Sequence, residues 1–112
     1  MLIIKEPVGL LDLWVSREVD FSDMMKIVVD IDKEIIAVDA EMHADLEKLL
    51  LETGSGLKNL WGANIYPMNK DTDYIEFTSF INIRPGQNNR SMEVRDENIR
   101  LKIKNIIERL FR

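Results

Sequence analysis

The string Glu41-x-His43-x-Asp45 sets the chain's single histidine between two carboxylates. In an extended strand these three side chains emerge on one face, with Asp39 one step before them, and alternate residues lie about 6.6 Å apart, close enough for long side chains to converge on one ion. Imidazole with carboxylates suits Zn, Mn or Fe rather than Ca. A lone imidazole beside a carboxylate can equally act as a general acid or base. No nucleophile is recognisable next to it. In plainer terms the string is a solvated strand edge followed by a helix cap, with Asp45 accepting backbone N–H bonds and His43 pairing with a neighbouring acid. One histidine supplies no second imidazole.

A second constellation is Asn82-x-Arg84-Pro85-Gly86-x-Asn88-Asn89-Arg90-Ser91. Two guanidiniums, several amides and a glycine turn can hold a phosphate or carboxylate through forked Arg donors and free loop N–H groups. The candidate binding residues are therefore Glu41, His43 and Asp45 with Asn82, Arg84, Asn89 and Arg90. Against this, Arg84 and Arg90 can pair with acids elsewhere in the fold, and the asparagines can simply build the turn. The segment lacks the G-x-x-x-x-G-K-[ST] pattern of a nucleotide-binding loop, and Gly54-Ser55-Gly56 is too short to replace one. Trp61 and Tyr66 fall on opposite faces of one strand, which sends Trp61 to the core and Tyr66 to the surface or rim. The six methionines are scattered and line no groove.

These residues need elements to position them. Leu2-Ile3-Ile4 is a short strand ending at Pro7, and a helix follows from about Val8 to Glu18, with Leu10, Leu13, Trp14 and Arg17 on one face. From Met25 the pattern alternates: Met25, Ile27, Val29 and Ile31, then Ile36, Val38, Ala40, Met42 and Ala44, with Asp32-Lys33 at the reversal of a hairpin. Residues opposite each other must share a face. A two-residue loop pairs Val29 with Ile36 and Ile27 with Val38; a four-residue loop pairs Val29 with Val38 and Ile27 with Ala40. A three-residue loop without a bulge sets Val29 opposite Ala37, mixes the faces and is rejected. In either surviving register Lys26 sits opposite an acid, Asp39 or Glu41.

Residues 39–52 also fit a helix, through Met42, Leu46, Leu49 and Leu50. The arrangement favoured here is a strand to about His43, then a short helix capped by Asp45 and stopped at Gly54. Further strands are expected over Leu60–Tyr66 and Tyr74–Arg84, joined by a loop over 67–73. A closing helix begins near Asp96 with the stripe Ile99, Ile103, Ile106 and Leu110, a seam too short for a coiled coil. Together these predict an α+β fold. One domain spanning 1–112 holds an antiparallel sheet of about five strands, with the N- and C-terminal helices packed on one face. The other face is expected to be polar, carrying Glu41, His43, Asn64, Tyr66, Glu76, Asn82 and Arg84.

Composition bounds the rest. With 112 residues, 46% hydrophobic and 31% charged, the chain is a folded domain rather than a disordered one. The absence of cysteine excludes disulfides, thiolate metal sites and a cysteine nucleophile. No apolar run is long enough for a signal core or membrane span, which points to the cytoplasm. The net charge of −5 is unevenly spread: residues 12–52 carry −8 and residues 84–112 carry +4. An acidic half and a basic tail can attract within the fold or between subunits. The same asymmetry disfavours nucleic acid, which needs a broad positive face.

The strings VVDIDKEIIAVDAEMHADLEKLLLETGS, LWGANIYP and IEFTSFINIRPGQNNRS, over roughly residues 28–91, resemble a family of short prokaryotic proteins known only as a domain of unknown function. The resemblance implies no activity. It does mark two departures: a glycine pair often stands in that family where this chain has Asp39-Ala40, and a proline where it has Glu97. The first removes a bulge signal near residue 40.

The leading functional expectation is a non-enzymatic binding or assembly module, homo-oligomeric, in which acidic and basic regions meet. The rival is a small metal-assisted hydrolase using Glu41, His43 and Asp45, with Arg84 or Arg90 holding a small anionic substrate.

Overall fold

Five runs of sequence extend into strands, β1 (Leu2–Ile4), β2 (Met25–Asp30), β3 (Ile35–Val38), β4 (Leu60–Ile65) and β5 (Ile75–Glu76), and three coil into helices, α1 (Leu10–Ser16), α2 (His43–Glu52) and α3 (Glu97–Leu110). The computed structural model describes residues 1–21, 23–70 and 73–112. Its strands form one antiparallel sheet in the order β1-β3-β2-β4-β5. The β2–β3 register is the first of the two expected, with Val29 opposite Ile36 and Ile27 opposite Val38. Asp30 fixes the reversal: its Oδ1 accepts the N–H groups of Asp32 and Lys33, both at 2.9 Å, and its Oδ2 accepts the Ser55 hydroxyl at 2.6 Å. The carboxylate is fully buried and well supplied with donors.

Alternation delivers Ile27, Val29, Ile36, Val38, Trp61, Ala63 and Ile65 to one face of the sheet. There they meet Leu10, Leu13 and Trp14 of α1 and Ile103, Ile106, Ile107 and Leu110 of α3. Burying each such side chain contributes about 1.5–3 kcal/mol. The terminal helices thus share one face, and α3 begins at Asp96, whose carboxylate accepts the N–H groups of Asn98 at 2.8 Å and Ile99 at 3.3 Å. The first helix is shorter than expected. Val8 stays extended and pairs with the end of α3, its N–H reaching Leu110 O at 2.8 Å. At the other end Arg17 lays its guanidinium 3.5 Å from the centre of the Trp14 ring and donates to the Trp14 carbonyl.

Three expectations need correction. The second face of the sheet is not polar: Val28, Ala37 and Leu60 project there and are sealed by Leu46 and Leu50 of α2 together with Ala40. The apolar runs Ile27–Val29 and Ile35–Val38 mark strands covered on both sides, so the sheet is the middle of three layers. The strand expected over Tyr74–Arg84 lasts only for β5. Beyond it Thr78 makes an isolated bridge to Glu93, and single 3-10 turns follow at Phe80–Asn82 and Pro85–Gln87. Ser79 starts the first of these turns by accepting the N–H of Ile81 at 3.2 Å. Finally, β3 stops at Val38, because Asp39 adopts a left-handed conformation with φ 71°. The loop expected over 67–73 opens with a 3-10 turn at Pro67–Asn69, and its residues 71 and 72 lie outside the described ones. Among the described residues no helix is long and apolar enough to cross a membrane.

Gly62 shows why β4 carries a glycine. A Cβ there would lie 2.5 Å from the Cβ of Ser79 and 3.1 Å from Cγ1 of Ile81. Gly62→Ala is expected to cost about 2–4 kcal/mol of stability, because neither neighbour can retreat without unpacking the second core. Urea denaturation checks this; a midpoint equal to the parent's would refute the close contact.

Candidate functional site

Asp39 sets the direction of everything that follows it. Its carboxylate accepts the backbone N–H groups of Glu18, at 3.1 and 2.9 Å, and of Val19, at 2.9 Å, which ties the end of α1's loop to the end of β3. Aspartate is among the residues that tolerate positive φ, and these bonds hold it there. The glycine pair often seen here in the resembled family suits the same backbone turn, so the position ends a strand rather than bulging it. Lys26, expected opposite Asp39 or Glu41, makes no ion pair with either: the Asp39 carboxylate is engaged by Glu18 and Val19, and the Lys26 ammonium donates to the backbone carbonyl of Glu41 at 2.8 Å. Asp39→Ala is predicted to lose about 2–4 kcal/mol through three lost bonds and left-handed strain, with Asp39→Gly losing roughly 1 kcal/mol less because glycine has no such strain. Thermal melts of the two variants measure the difference, and equal losses would show that backbone strain is irrelevant.

The turn at Asp39 makes His43 the first residue of a helix rather than the last of a strand. Met42 is the N-cap and supplies no side-chain bond. Asp45, expected to be the cap, lies in the first turn with an exposed side chain, where it faces the positive end of the helix. Helical rotation therefore separates the three side chains that a strand would have aligned. Among the described residues no three His, Asp or Glu side chains converge as a metal would require.

His43 nevertheless reaches a polar cluster. Its Nε2 lies 2.8 Å from the carbonyl of Ala63 and donates to it, which leaves Nδ1 unprotonated in the neutral ring. Burial pushes its pKa below 6.5, and the Lys26 ammonium pushes the same way. The Ala63 bond, Asn64 and Glu76 oppose them. Across the sheet, Lys26, Asn64 and Glu76 occupy neighbouring positions on β2, β4 and β5. Asn64 donates to Glu76 Oε1 at 2.7 Å, and the Tyr66 hydroxyl donates to the same oxygen at 3.5 Å. Burial, Glu76 and Asp23 raise the Tyr66 pKa above 10, so the phenol keeps its proton at neutral pH. Asn64 is buried, and its Oδ1 has no partner among the described residues. Of the seven side chains expected on a polar face, His43, Asn64, Tyr66 and Glu76 do come together. Lys26 belongs with them, and the alternation of β2 opposite β4 was the signal for it.

The Asn82–Ser91 constellation is largely committed to the chain itself. Asn82 is fully buried; its Oδ1 accepts the Gly62 N–H at 2.9 Å, and its Nδ2 donates to the Gly62 carbonyl at 2.9 Å and to Met92 O at 3.1 Å. Asn89, also buried, holds Nδ2 within 2.7 Å of Asn82 O and 2.9 Å of both Ser91 O and Glu93 O, while its Oδ1 accepts the Arg95 N–H at 3.0 Å. Arg84 divides its fork between Glu47 Oε2 at 3.1 Å and Leu57 O at 2.9 Å, with its guanidinium carbon 5.0 Å from the centre of the Trp61 ring. Of the four candidate binding residues in this segment, Asn82, Arg84, Asn89 and Arg90, only Arg90 is exposed. Glu41, before the N-cap of α2, and Asp45, in its first turn, are exposed as well.

His43 makes stability depend on pH. Its folded pKa lies below the unfolded value of 6.5, so the unfolded chain binds the proton more readily. This contribution is complete above pH 6.5 and is lost as pH falls through 6.5 toward the folded pKa. His43→Gln should therefore show a flatter stability profile over that interval in denaturation at stepped pH. A profile as steep as the parent's would remove His43 as the cause.

A family model described as a protein of unknown function (DUF5674) matches residues 2–110 of the chain. No curated protein and no solved structure matches it.

Proposed function

The chain belongs to the DUF5674 family, whose function is unknown, and we propose that it is a single-domain, cytoplasmic, non-enzymatic module that works by self-association. The observation that carries this is the placement of charge. α2 lies over one face of the sheet and α3 over the other. α2 carries Asp45, Glu47 and Glu52 against Lys48, a net −2, whereas α3 carries Arg100, Lys102, Lys104 and Arg109 against Glu97 and Glu108, a net +2. Part of the charge asymmetry is used internally, through Arg84–Glu47 at 3.1 Å and Arg109–Glu34 at 3.6 Å. The remainder faces solvent on opposite layers, so one copy offers the basic surface that complements the acidic surface of another.

The polar residues that could have served chemistry support the same reading. Asn82, Arg84 and Asn89 spend their donors on backbone or on Glu47. Light scattering in about 50 mM salt should show association that weakens in about 500 mM salt, as screening of exposed charges requires. Lys102→Glu on α3 should weaken it in low salt. A monomer in low salt at high protein concentration would overturn the proposal.

A further inference from the structure

The sheet has two edges, and they are not alike. Past β5 the chain covers its own edge from Phe77 to Ser79: Thr78 bridges Glu93, Ser79 N–H reaches Met92 O at 3.0 Å, and Val94 N–H reaches Phe77 O at 3.0 Å. Among the described residues no strand follows beyond β1. The direction of the β1 backbone groups follows from the ladder. Ile31 N–H donates to Asn59 O at 3.0 Å in continuation of the β2–β4 register, so Met25, Ile27 and Val29 bond toward β4, and Lys26, Val28 and Asp30 toward β3. Gly62, opposite Val28, accordingly turns its amide away from β2 to Asn82. Carried across the sheet, the alternation makes Ile35 and Ala37 face β2, and Ile36 and Val38 face β1. Leu2 and Ile4 then bond to β3, and the N–H and C=O of Ile3 point outward from the free edge.

We propose that this edge is a pairing surface for a second copy of the chain, joined antiparallel about a two-fold axis through Ile3. In that register Ile3 of each copy donates to and accepts from Ile3 of the other, so the unpaired backbone groups satisfy each other. Leu2, which is 49% exposed, lies beside Ile4 of the second copy on the face under α1 and α3. The edge fits its own copy because Leu2-Ile3-Ile4 carries no charge to repel itself, and the contact is isologous and closes as a pair. Three residues make a small contact, so the dimer is weak and concentration-dependent.

The pairing is separate from the charged faces. A two-fold axis perpendicular to the sheet keeps both α2 layers on the same side, so edge pairing brings like charge together and is not weakened by salt. Sedimentation of the full chain from about 10 µM to about 1 mM, in about 50 and 500 mM salt, should show a dimer in both. Ile3→Pro deletes an N–H that no intramolecular strand bond uses and should weaken the dimer at least about tenfold. Leu2→Lys, which charges the edge and leaves every backbone group in place, should do the same while keeping the parent's melting curve. The Ile3 amide should exchange more slowly as protein concentration rises, whereas the Leu10 amide, bonded internally to Arg112 O, should not change. Association confined to low salt and indifferent to both variants would overturn edge pairing and leave the charged-face proposal standing. A dimer at both salt levels that both variants abolish, with no larger species in low salt, would do the reverse.

Discussion

The structure depends on one side-chain amide standing in for a strand. β4 needs a partner on the edge facing away from β2, and β5 covers only Asn64 and Ile65 of it. At Gly62 the partner is Asn82, whose carboxamide accepts and donates as a peptide unit would, both at 2.9 Å. A buried N–H and C=O left without partners would cost about 1–3 kcal/mol each. Gly62 makes the approach sterically feasible, since any Cβ would strike Ser79. Asn89 completes the arrangement by binding the carbonyl of Asn82 at 2.7 Å. Residues 78–95 are thereby held against β4, and Trp61 and Leu60, on either side of the sheet, stay covered.

This explains why a segment that reads as an anion site is mainly a structural one. An amide offers a donor and an acceptor, and the same pair serves a ligand or a peptide group equally well. Whether it serves one or the other is decided by burial. Asn82 and Asn89 are both buried, and the Arg84 side chain is 11% exposed, wedged between Glu47 and the Trp61 ring. A guanidinium in that position is oriented by the fold, and an incoming anion would have to displace Glu47 to use its fork.

Where the sequence pattern is local and periodic, it was legible. Alternation narrowed the β2–β3 pairing to two registers, of which the structure has the first; Trp14 and Trp61 took core positions, and Asp96 with its isoleucine stripe marked α3. The gathering of His43, Asn64, Tyr66 and Glu76 was visible in part, because β4 and β5 keep the parity that aligns Asn64 with Glu76. What escaped is non-local. Phe77, Ser79, Ile81 and Ile83 continue a strand's alternation, yet the backbone leaves the sheet at Ser79 to bring Asn82 to Gly62. Asp39 looks like one more alternating polar residue, while its carboxylate is engaged by Glu18 and Val19, some twenty residues earlier. The apolar character of Val28 and Ala37 did announce a second buried face, but alternation of their neighbours masked it.

The polar cluster around His43 is best understood as the seat of α2. That helix begins without a side-chain cap, and its first residue is anchored by the Ala63 carbonyl instead. Burial and the nearby Lys26 ammonium favour the neutral ring, and a neutral ring is what an uncharged carbonyl can hold at least cost. Lys26 reinforces the same junction by fastening the Glu41 carbonyl, two residues before the helix. Both contacts draw the start of α2 onto β2 and β4, so that Leu46 and Leu50 descend onto Val28, Ala37 and Leu60. The unprotonated Nδ1, and the Oδ1 of Asn64 that has no partner among the described residues, are what remains once the helix is seated. Any ligand using His43 Nε2 would have to break the bond to Ala63, so binding there would be coupled to the docking of α2.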